Sequence, residues 1–529
     1  MSKIQKQSFL EGALIMAIAN MIVKVIGAFF KIPLKNLIGS DGMGMFYGAY
    51  NIYSALVVIS TAGLPVAVSR MIAEANARGR GREIDRIYHV SFGLFLAIGA
   101  LSTFLMVAFA KPLLAYQGNP DAFWSLIALA PAVFFVALMS VYRGYCQGLR
   151  NMVPTAVSQL IEALSKLVFG YGLAIVALKL GYGVEIASAG AILGVTIGTV
   201  LGAVYMAVRR RRVREVSKFS DFDPEVRTDR ELLKTLVIIA IPITIGAAVM
   251  SLTNLIDNFV VMRRLQSIGY AKELTVAMYG AYSSMSVALM TLPQTLIVGM
   301  TVSLIPAIAD AYGAKDYARA RANTESATRL TGMLAFPCAS GLFVLAWPLL
   351  NLLFSEDVDF AAPLLQTLAF AFLFVSLVSV TNALLQAAGK ERLPVISMIA
   401  GGVVKLVTNF ILIGTPSINI HGAPIGTIAC YATIAIINIV FVYTKTELGP
   451  KQWYMLWKPL AAAVAMGIFA YFTYPPLAAL LGARLGVIVC IGLCVAVYLA
   501  VMLLVRGFVK EDILMLPKGA KIARMLRLK

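Results

Sequence analysis

The chain has 529 residues, of which 60% are hydrophobic and only 13% are charged. Soluble domains carry about 25% charged residues, so this composition excludes a mainly soluble protein and predicts an all-α integral membrane protein. The formal net charge of +19 does not indicate nucleic-acid binding, because no basic helix with interleaved aromatic residues stands in a soluble module.

Apolar runs of roughly 20 residues, the length that crosses the hydrocarbon core of a bilayer, recur along the whole chain. They predict 14 transmembrane spans, at residues 9–30, 42–69, 88–114, 122–146, 154–180, 184–208, 235–262, 276–309, 325–354, 360–388, 394–415, 421–444, 457–477 and 484–506. No signal-peptide cleavage pattern follows the first run, so we expect it to be retained as the first span. The basic tail at 510–529 either lies in the membrane interface as an amphipathic helix or is solvated.

Basic residues concentrate in the N-terminal tail and in the loops after even-numbered spans, for example at 78–86, 209–214 and 315–321. The loops after odd-numbered spans are poor in Lys and Arg. Because positively charged loops stay in the cytoplasm, we expect a multi-pass protein of the cell membrane with both termini cytoplasmic.

Short motifs recur in the same order at an offset of about 230 residues, which indicates a duplicated unit. The pairs are Tyr47–Tyr50 with Tyr279–Tyr282, Lys166–Val168 with Lys405–Val407, and Gly190–Gly194 with Gly422–Gly426. Many transporters build a site between duplicated halves near the bilayer midplane, so the repeat itself favours transport.

The duplication predicts the domain organisation. Two parallel six-helix repeats occupy 1–208 (N-lobe) and 235–445 (C-lobe), and a basic cytoplasmic linker joins them at 209–234. Residues 446–529 add a two-helix hairpin and the basic tail. In the sixth span, glycines at every fourth position from Gly190 to Gly202 predict a bare helix face that a neighbouring helix approaches closely.

Among the charged residues of the predicted spans, we single out Lys24, Glu162, Lys166, Asp257 and Lys405 as charges in apolar surroundings. A charge at the centre of a span costs about 2.5–3.5 kcal/mol, so each needs a partner or an aqueous cavity. Glu162 and Lys166 are four residues apart and can form an ion pair on one helix face. Lys405 occupies the repeat-equivalent place of Lys166 but has no carboxylate one turn away, so it either binds an anionic ligand or has a distant structural partner.

By the repeat offset, Lys24 maps beside Asp257, which lies between Asn254 and Asn258. The two charges therefore occupy nearly equivalent places in the two lobes. They are predicted to pair in one conformation and separate in another; the alternative is that each finds a partner within its own lobe. Lys24 and Lys405 are expected to face a central aqueous cavity.

The residues that cofactor chemistry needs are sparse. The five cysteines lie in apolar runs and there are two histidines, so we expect no metal and no redox cofactor. No phosphate-binding loop of the G-x-x-x-x-G-K-[ST] type is present, so the drive is expected from a Na⁺ or H⁺ gradient, the membrane potential or substrate supply.

Four stretches together resemble one family. They are Lys24–Gly27 with Lys31–Leu34, Ser60–Arg70, Tyr142–Gly148 and Ile161–Lys166. The chain resembles the multidrug/oligosaccharidyl-lipid/polysaccharide (MOP) exporter superfamily over essentially all 14 spans. Within it, the chain is most similar to the stage V sporulation protein B-like and Gram-positive lipid II flippase branch.

The resemblance implies two six-helix lobes that form a V around a cationic cavity and open to alternate sides. It implies that basic residues of span 1 are functional, and Lys24 and Lys31 lie at or near those places. Span 2 departs from the Gram-negative pattern, because it shows tyrosines but no arginine before Arg70. The substrate-binding candidates are Lys24, Lys31, Arg70, Lys166 and Lys405. The coupling or gating candidates are Asp257, Glu162, Asn254 and Asn258.

The function that these features predict is transport, not catalysis. The chain is expected to be a flippase that moves an undecaprenyl-pyrophosphate-linked cell-wall precursor, lipid II, by alternating access. Its expected partners are that lipid-linked oligosaccharide and membrane lipids, with no nucleic acid, and it is expected to be a monomer associated with the cell-wall synthesis machinery. The alternatives are a polysaccharide repeat-unit flippase, a multidrug exporter, a membrane glycan polymerase and a scaffold. Lysines outnumber acidic residues among these intramembrane charges, which argues against export of a cationic drug. The sequence shows no catalytic acid/base pair, which argues against a polymerase.

Overall fold

A computed structural model of the chain describes residues 9–216, 227–450 and 453–509. The fold of this part is all-α, as predicted, and no strand occurs in it. The predicted amphipathic tail at 510–529 and the middle of the predicted linker, 217–226, lie outside the described residues.

The chain packs as two compact units, of which the first ends at Gly280 and the second begins at Ala281. The helices of the first unit are α1 (Phe9–Thr61), α2 (Leu64–Ala77), α3 (Gly81–Ala108), α4 (Ala110–Gln117), α5 (Phe123–Gly148), α6 (Val153–Ser165), α7 (Tyr171–Lys179), α8 (Val184–Val216), α9 (Asp229–Ser267) and α10 (Lys272–Ala281). A 3₁₀ turn at Pro120–Ala122 precedes α5, and a π-helical segment at Lys166–Gly170 joins α6 to α7.

The second unit contains the remaining helices, of which the last two form a hairpin. They are α11 (Ala288–Gly313), α12 (Tyr317–Val344), α13 (Ala346–Leu353), α14 (Val358–Ala387), α15 (Arg392–Ile413), α16 (Gly422–Lys445), α17 (Trp457–Leu481) and α18 (Ala483–Leu504). A π-helical segment at Tyr282–Val287 leads into α11, and 3₁₀ turns at Asn419–His421 and Trp453–Leu456 precede α16 and α17. The α17–α18 hairpin packs on α12 and α13.

Eleven segments of the described residues are long and apolar enough to cross a membrane. The first, Ile18–Ala77, contains the second predicted span and most of the first. The two are separated where α1 bends at Gly39, whose φ of 68° lies in the left-handed region that glycine adopts readily. The seventh and eighth predicted spans lie on α9 and on α10–α11. The structure is thus a multi-pass membrane protein and is consistent with 14 spans.

Helix α9 packs in the first unit, against α1 and α2, although the predicted repeat assigns it to the C-lobe. In the first half of α9, the Gly63 backbone N–H donates to Thr244 Oγ1 over 3.1 Å. In its second half, the buried Asn258 amide donates to the Gly48 carbonyl over 3.1 Å, and Lys272 beyond α9 pairs with Asp121 over 3.1 Å. The domain boundaries at 208 and 235 were predicted from the sequence repeat, whereas the two compact units are defined by packing. The predicted boundaries therefore stay a prediction.

Candidate functional site

Lys166 begins the π-helical segment between α6 and α7 and lies against aromatic rings. Its Nζ is 4.8 Å from the ring centre of Phe30, 4.9 Å from that of Tyr50 and 5.5 Å from that of Phe46. π-Helical segments occur frequently at functional sites, because they shift the register of the side chains that follow. A cation over ring faces gains electrostatic attraction and keeps its donors available.

Lys31 lies on the same aromatic cluster. Its Nζ is 5.3 Å from the ring centre of Tyr47, and Tyr47 packs edge-on against Phe46 at 5.6 Å. Neither Lys31 nor Lys166 makes an ion pair in the described part of the chain. Two ammonium groups inside membrane-spanning segments are therefore without a carboxylate partner there.

The predicted ion pair between Glu162 and Lys166 is wrong. Glu162 accepts instead from Arg143 of α5, whose Nε and Nη2 also donate to Ser158 Oγ over 3.0 and 2.9 Å. The side chains of Arg143 and Glu162 are 16% and 26% exposed, so the pair is partly buried. Arg143, on a neighbouring helix, pairs with the Glu162 carboxylate. Lys166 therefore contacts the aromatic rings and not Glu162.

Helix α8 reaches this region because its glycine face has no side chains. A Cβ at Gly194 would lie 2.3 Å from the backbone N of Gly170, and a Cβ at Gly198 would lie 2.9 Å from the carbonyl O of Glu162. These contacts confirm the close packing predicted from the glycine spacing. The approach also fixes the backbone that carries Glu162 and the π-helical segment.

A cavity of about 290 Å³ lies within the first unit, between α1, α5, α6 and α8. Its lining combines charged, amide, hydroxyl and aromatic groups with small apolar residues. The lining residues are Asn20, Val23, Gly27, Phe30, Tyr50, Tyr53, Arg143, Gln159, Glu162, Ala163, Lys166, Val195 and Thr199. We call it the N-unit pocket. With two cationic side chains and one carboxylate, its lining carries net positive charge.

The other predicted substrate-binding residues lie elsewhere. Lys24 and Arg70 are exposed, and neither lines the N-unit pocket, although Val23 beside Lys24 does. Lys405, on α15 of the second unit, is only 3% exposed, so it does not face open water as expected. The roles of these three residues in substrate binding stay predictions.

The coupling candidates on α9 differ in environment. Asn254 is exposed, Asp257 is half-buried, and Asn258 is fully buried. Asn258 accepts from Gln117 and donates to backbone carbonyls of α1, contacts that hold α9 in place. No ion pair joins Lys24 to Asp257 in the described residues, and both lie in the first unit, so their predicted switch stays a prediction.

Arg143 is the residue that sequence reasoning missed. It lies inside the predicted span 122–146 and in the Tyr142–Gly148 stretch that carries the family resemblance, yet it was not counted among the intramembrane charges. It lies three residues before the end of that span, where an arginine is easily taken for one at the end of a span. Counting every charged residue within the predicted spans identifies it.

A family profile described as "Polysaccharide biosynthesis protein" matches residues 9–312, more than half of the chain. The chain belongs to that family. A second profile, MatE, matches residues 242–411, and together the two confirm the predicted membership of the MOP superfamily. Members of the MOP superfamily are transporters, so the prediction that the chain is not an enzyme is confirmed as well.

Relatives place the chain in the stage V sporulation protein B-like branch of the MOP superfamily. The chain is 26% identical to stage V sporulation protein B of Bacillus subtilis over 448 residues, which cover 84% of this chain and 86% of that protein. It is 24% identical to lipid II flippase MurJ of Bacillus subtilis, with 83% of each chain covered. A solved structure of lipid II flippase MurJ in an inward closed conformation matches 92% of this chain and 98% of its own, with a TM-score of 0.67 at 15% identity. That structural match supports the MOP fold.

Proposed function

We propose that this MOP protein is a flippase that moves a polyprenyl-pyrophosphate-linked cell-wall precursor, lipid II, across the cytoplasmic membrane by alternating access. The observation that carries the proposal is the N-unit pocket, where Lys166 lies among membrane-spanning helices without a carboxylate partner. An unpaired intramembrane cation marks a functional site, and a pyrophosphate is the anion that would use it. The similarity to two flippase-branch proteins supports the cargo class.

The pocket chemistry also separates the rival cargoes. Among the described residues of its lining, Glu162 is the one carboxylate, and Arg143 neutralises it, so the lining disfavours a cationic drug. A polysaccharide repeat unit on the same lipid carrier has the same pyrophosphate and is the second candidate, favoured by the description of the matching family. The two cargoes differ only in the saccharide.

Direct transport into vesicles tests the proposal. Purified protein is reconstituted and offered fluorescent lipid II or the same carrier lipid with a polysaccharide repeat unit, and the flipped fraction is read by quenching from outside. We expect Lys166→Met to reduce flipping at least about tenfold, because a charge-assisted contact contributes about 1.5–3 kcal/mol. Lys179→Met, an exposed lysine at the end of α7, is the matched control and should flip at the wild-type rate. Equal flipping by both variants would overturn the proposal.

The proposal includes a topology and a drive. We place both termini and the 209–234 linker in the cytoplasm, so cysteines introduced at Arg212 and Asp357 should be labelled from opposite sides of the membrane.

The energy source for transport is assigned to a Na⁺ or H⁺ gradient or to the membrane potential, which supplies about 2.3 kcal/mol per charge and 100 mV. Asp257→Asn should remove the dependence of flipping on Na⁺ or on pH if Asp257 is the coupling group. The working unit is taken to be a monomer.

A further inference from the structure

The N-unit pocket has two chemically different ends. At one end, Lys166 lies against Phe30 and Tyr50 and offers positive charge. At the other end, Arg143 and Glu162 neutralise each other, and Gln159 and Tyr53 complete the lining. The second end therefore offers hydrogen bonds and ring faces but little net charge.

Several hydrogen-bonding positions at this second end remain unused in the described residues. Arg143 bonds through Nε and Nη2, so its Nη1 donors make no hydrogen bond with the protein. Glu162 accepts through Oε1, so its Oε2 has none either. Gln159 Oε1 is buried and has no hydrogen-bond partner. A buried acceptor without a partner costs about 1–3 kcal/mol, which a ligand donor would recover.

This set of groups disfavours a phosphate and favours hydroxyl groups. An anion placed here would face the carboxylate Oε2 and the amide Oε1, two oxygens that repel it and cannot donate to it. A hydroxyl group both donates and accepts, so neighbouring hydroxyls on one ring can donate to Glu162 and Gln159 and accept from Arg143. Tyr53, whose ring centre is 5.7 Å from that of Tyr50, supplies aromatic surface for the C–H face of such a ring.

Size and spacing agree with a single sugar ring beside a phosphate. The cavity of about 290 Å³ lies just below the roughly 300–1,000 Å³ of ligand pockets, a size that suits one sugar ring better than a complete oligosaccharide headgroup. Lys166 follows Glu162 by four residues, about 5–6 Å between their Cβ atoms. A cation that binds phosphate and a polar end that binds the attached ring are thus adjacent.

We propose that the Arg143–Glu162 end of the N-unit pocket is a saccharide subsite that binds one uncharged, polyhydroxylated pyranose ring of the cargo, with the pyrophosphate at Lys166. The inference rests on the proposed flippase function and deepens it, because it assigns recognition of the sugar to the first unit. The contacts come from Arg143, Glu162 and Gln159, and the stacking surface comes from Tyr53.

Two lipid probes that differ by one sugar test the subsite. Full-length protein in nanodiscs is titrated with a short-chain polyprenyl pyrophosphate and with the same lipid carrying one N-acetylhexosamine. The wild type should bind the glycosylated lipid about tenfold more tightly. Gln159→Leu should abolish most of this gain and leave binding of the bare lipid unchanged. The variant is expected to fold, because the Gln159 Oε1 gives up no protein hydrogen bond.

Two further variants complete the design. Tyr53→Leu should also reduce only the sugar-dependent gain, since it removes a ring face and no charge. Gln386→Leu, an exposed glutamine at the end of α14, is the matched control and should bind both lipids as the wild type does. Lys166→Met should weaken both lipids by a similar factor.

The outcomes separate this inference from the function it rests on. A wild type that binds both lipids equally, or a Gln159→Leu variant that weakens both by the same factor, would overturn the subsite and leave the flippase function standing. Failure of both lipids to bind the wild type would overturn both. Unchanged binding of the bare lipid by Lys166→Met, with the sugar gain still lost in Gln159→Leu, would overturn the phosphate role of Lys166 and support the subsite.

Discussion

The guanidinium of Arg143 on α5 donates to the carboxylate of Glu162 on α6, so an ion pair joins two helices within the membrane-spanning region. Both groups are partly buried, and Ser158 holds the guanidinium from the same side through two further hydrogen bonds. The pair neutralises one end of the N-unit pocket and lets Lys166 act as a separate cation.

Removing one member of this pair should destabilise the protein more than removing both. Arg143→Met leaves the Glu162 carboxylate uncompensated and should cost about 3 kcal/mol, the lower end for a buried pair because both groups keep some exposure. Arg143→Met combined with Glu162→Met should recover most of this loss, since an apolar replacement of a whole pair is often neutral. Thermal and denaturant unfolding of the purified protein measure both. A double variant as unstable as the single one would contradict a direct pair.

Filling the N-unit pocket should block transport without loss of stability. Gly27 lines the pocket, and a Cβ at this position would have nothing within 4 Å, so Gly27→Leu extends into the cavity. Leu is favoured over Gly in a helix by up to about 1 kcal/mol, so the melting temperature should hold or rise. Flipping should fall roughly tenfold. Gly93→Leu on α3, where a Cβ also has open space, is the control; inhibition there of the same size would point to a general effect.

The close approach of α8 should tolerate no side chain at Gly194. In Gly194→Ala the new methyl group would overlap the backbone of Gly170, and the strain should cost about 1–3 kcal/mol. The π-helical segment should shift with it, so binding of the bare polyprenyl pyrophosphate should weaken along with stability. Gly172→Ala, two residues beyond that segment and in open space, should leave both unchanged. Equal stability of the two variants would argue against the tight packing.

The start of α9 should lose order at low pH. Thr228 and Glu231 form a reciprocal capping box, and the backbone N–H of Thr228, followed by its side chain, holds the pKa of Glu231 below its ordinary value. Because the folded pKa lies below the unfolded one, about 4.3, the cap stabilises the helix end above that pH and is lost as pH falls through the lowered value. The protection factors for amide hydrogen exchange at residues 229–233, which correct for the pH dependence of intrinsic exchange, should therefore decrease once the pH drops below about 4. Glu231→Gln should flatten this pH dependence, and a profile identical to the wild type would exclude the cap as its cause.

The sequence predicted the features that depend on neighbours along one helix and missed those that depend on neighbours across helices. The four-residue glycine spacing identifies the packed face of α8, because residues four apart share a helix face in any context. The same spacing rule placed Glu162 beside Lys166, but it offers only partners on the same helix. Arg143 on α5 forms the ion pair with Glu162 instead. Its position beside Glu162 follows from the packing of three helices, which no local sequence pattern encodes.

The burial of Lys405 shows the same limit of prediction from local sequence patterns. Lys405 has a position in the repeat and a flanking sequence that predict an open cavity, yet the packed second unit leaves it 3% exposed. The repeat fixes which helix carries a charge, and the packing of that helix decides which way the charge faces. Assignment of α9 to the second repeat likewise gives no sign that it packs with the first unit.

The walls of the N-unit pocket lie between Asn20 and Thr199, so every one of them has been translated before the second unit leaves the ribosome. The described lining of the pocket is therefore complete once the first unit has been synthesised. We expect the cavity to form as that unit inserts into the membrane, ahead of the helices that follow it.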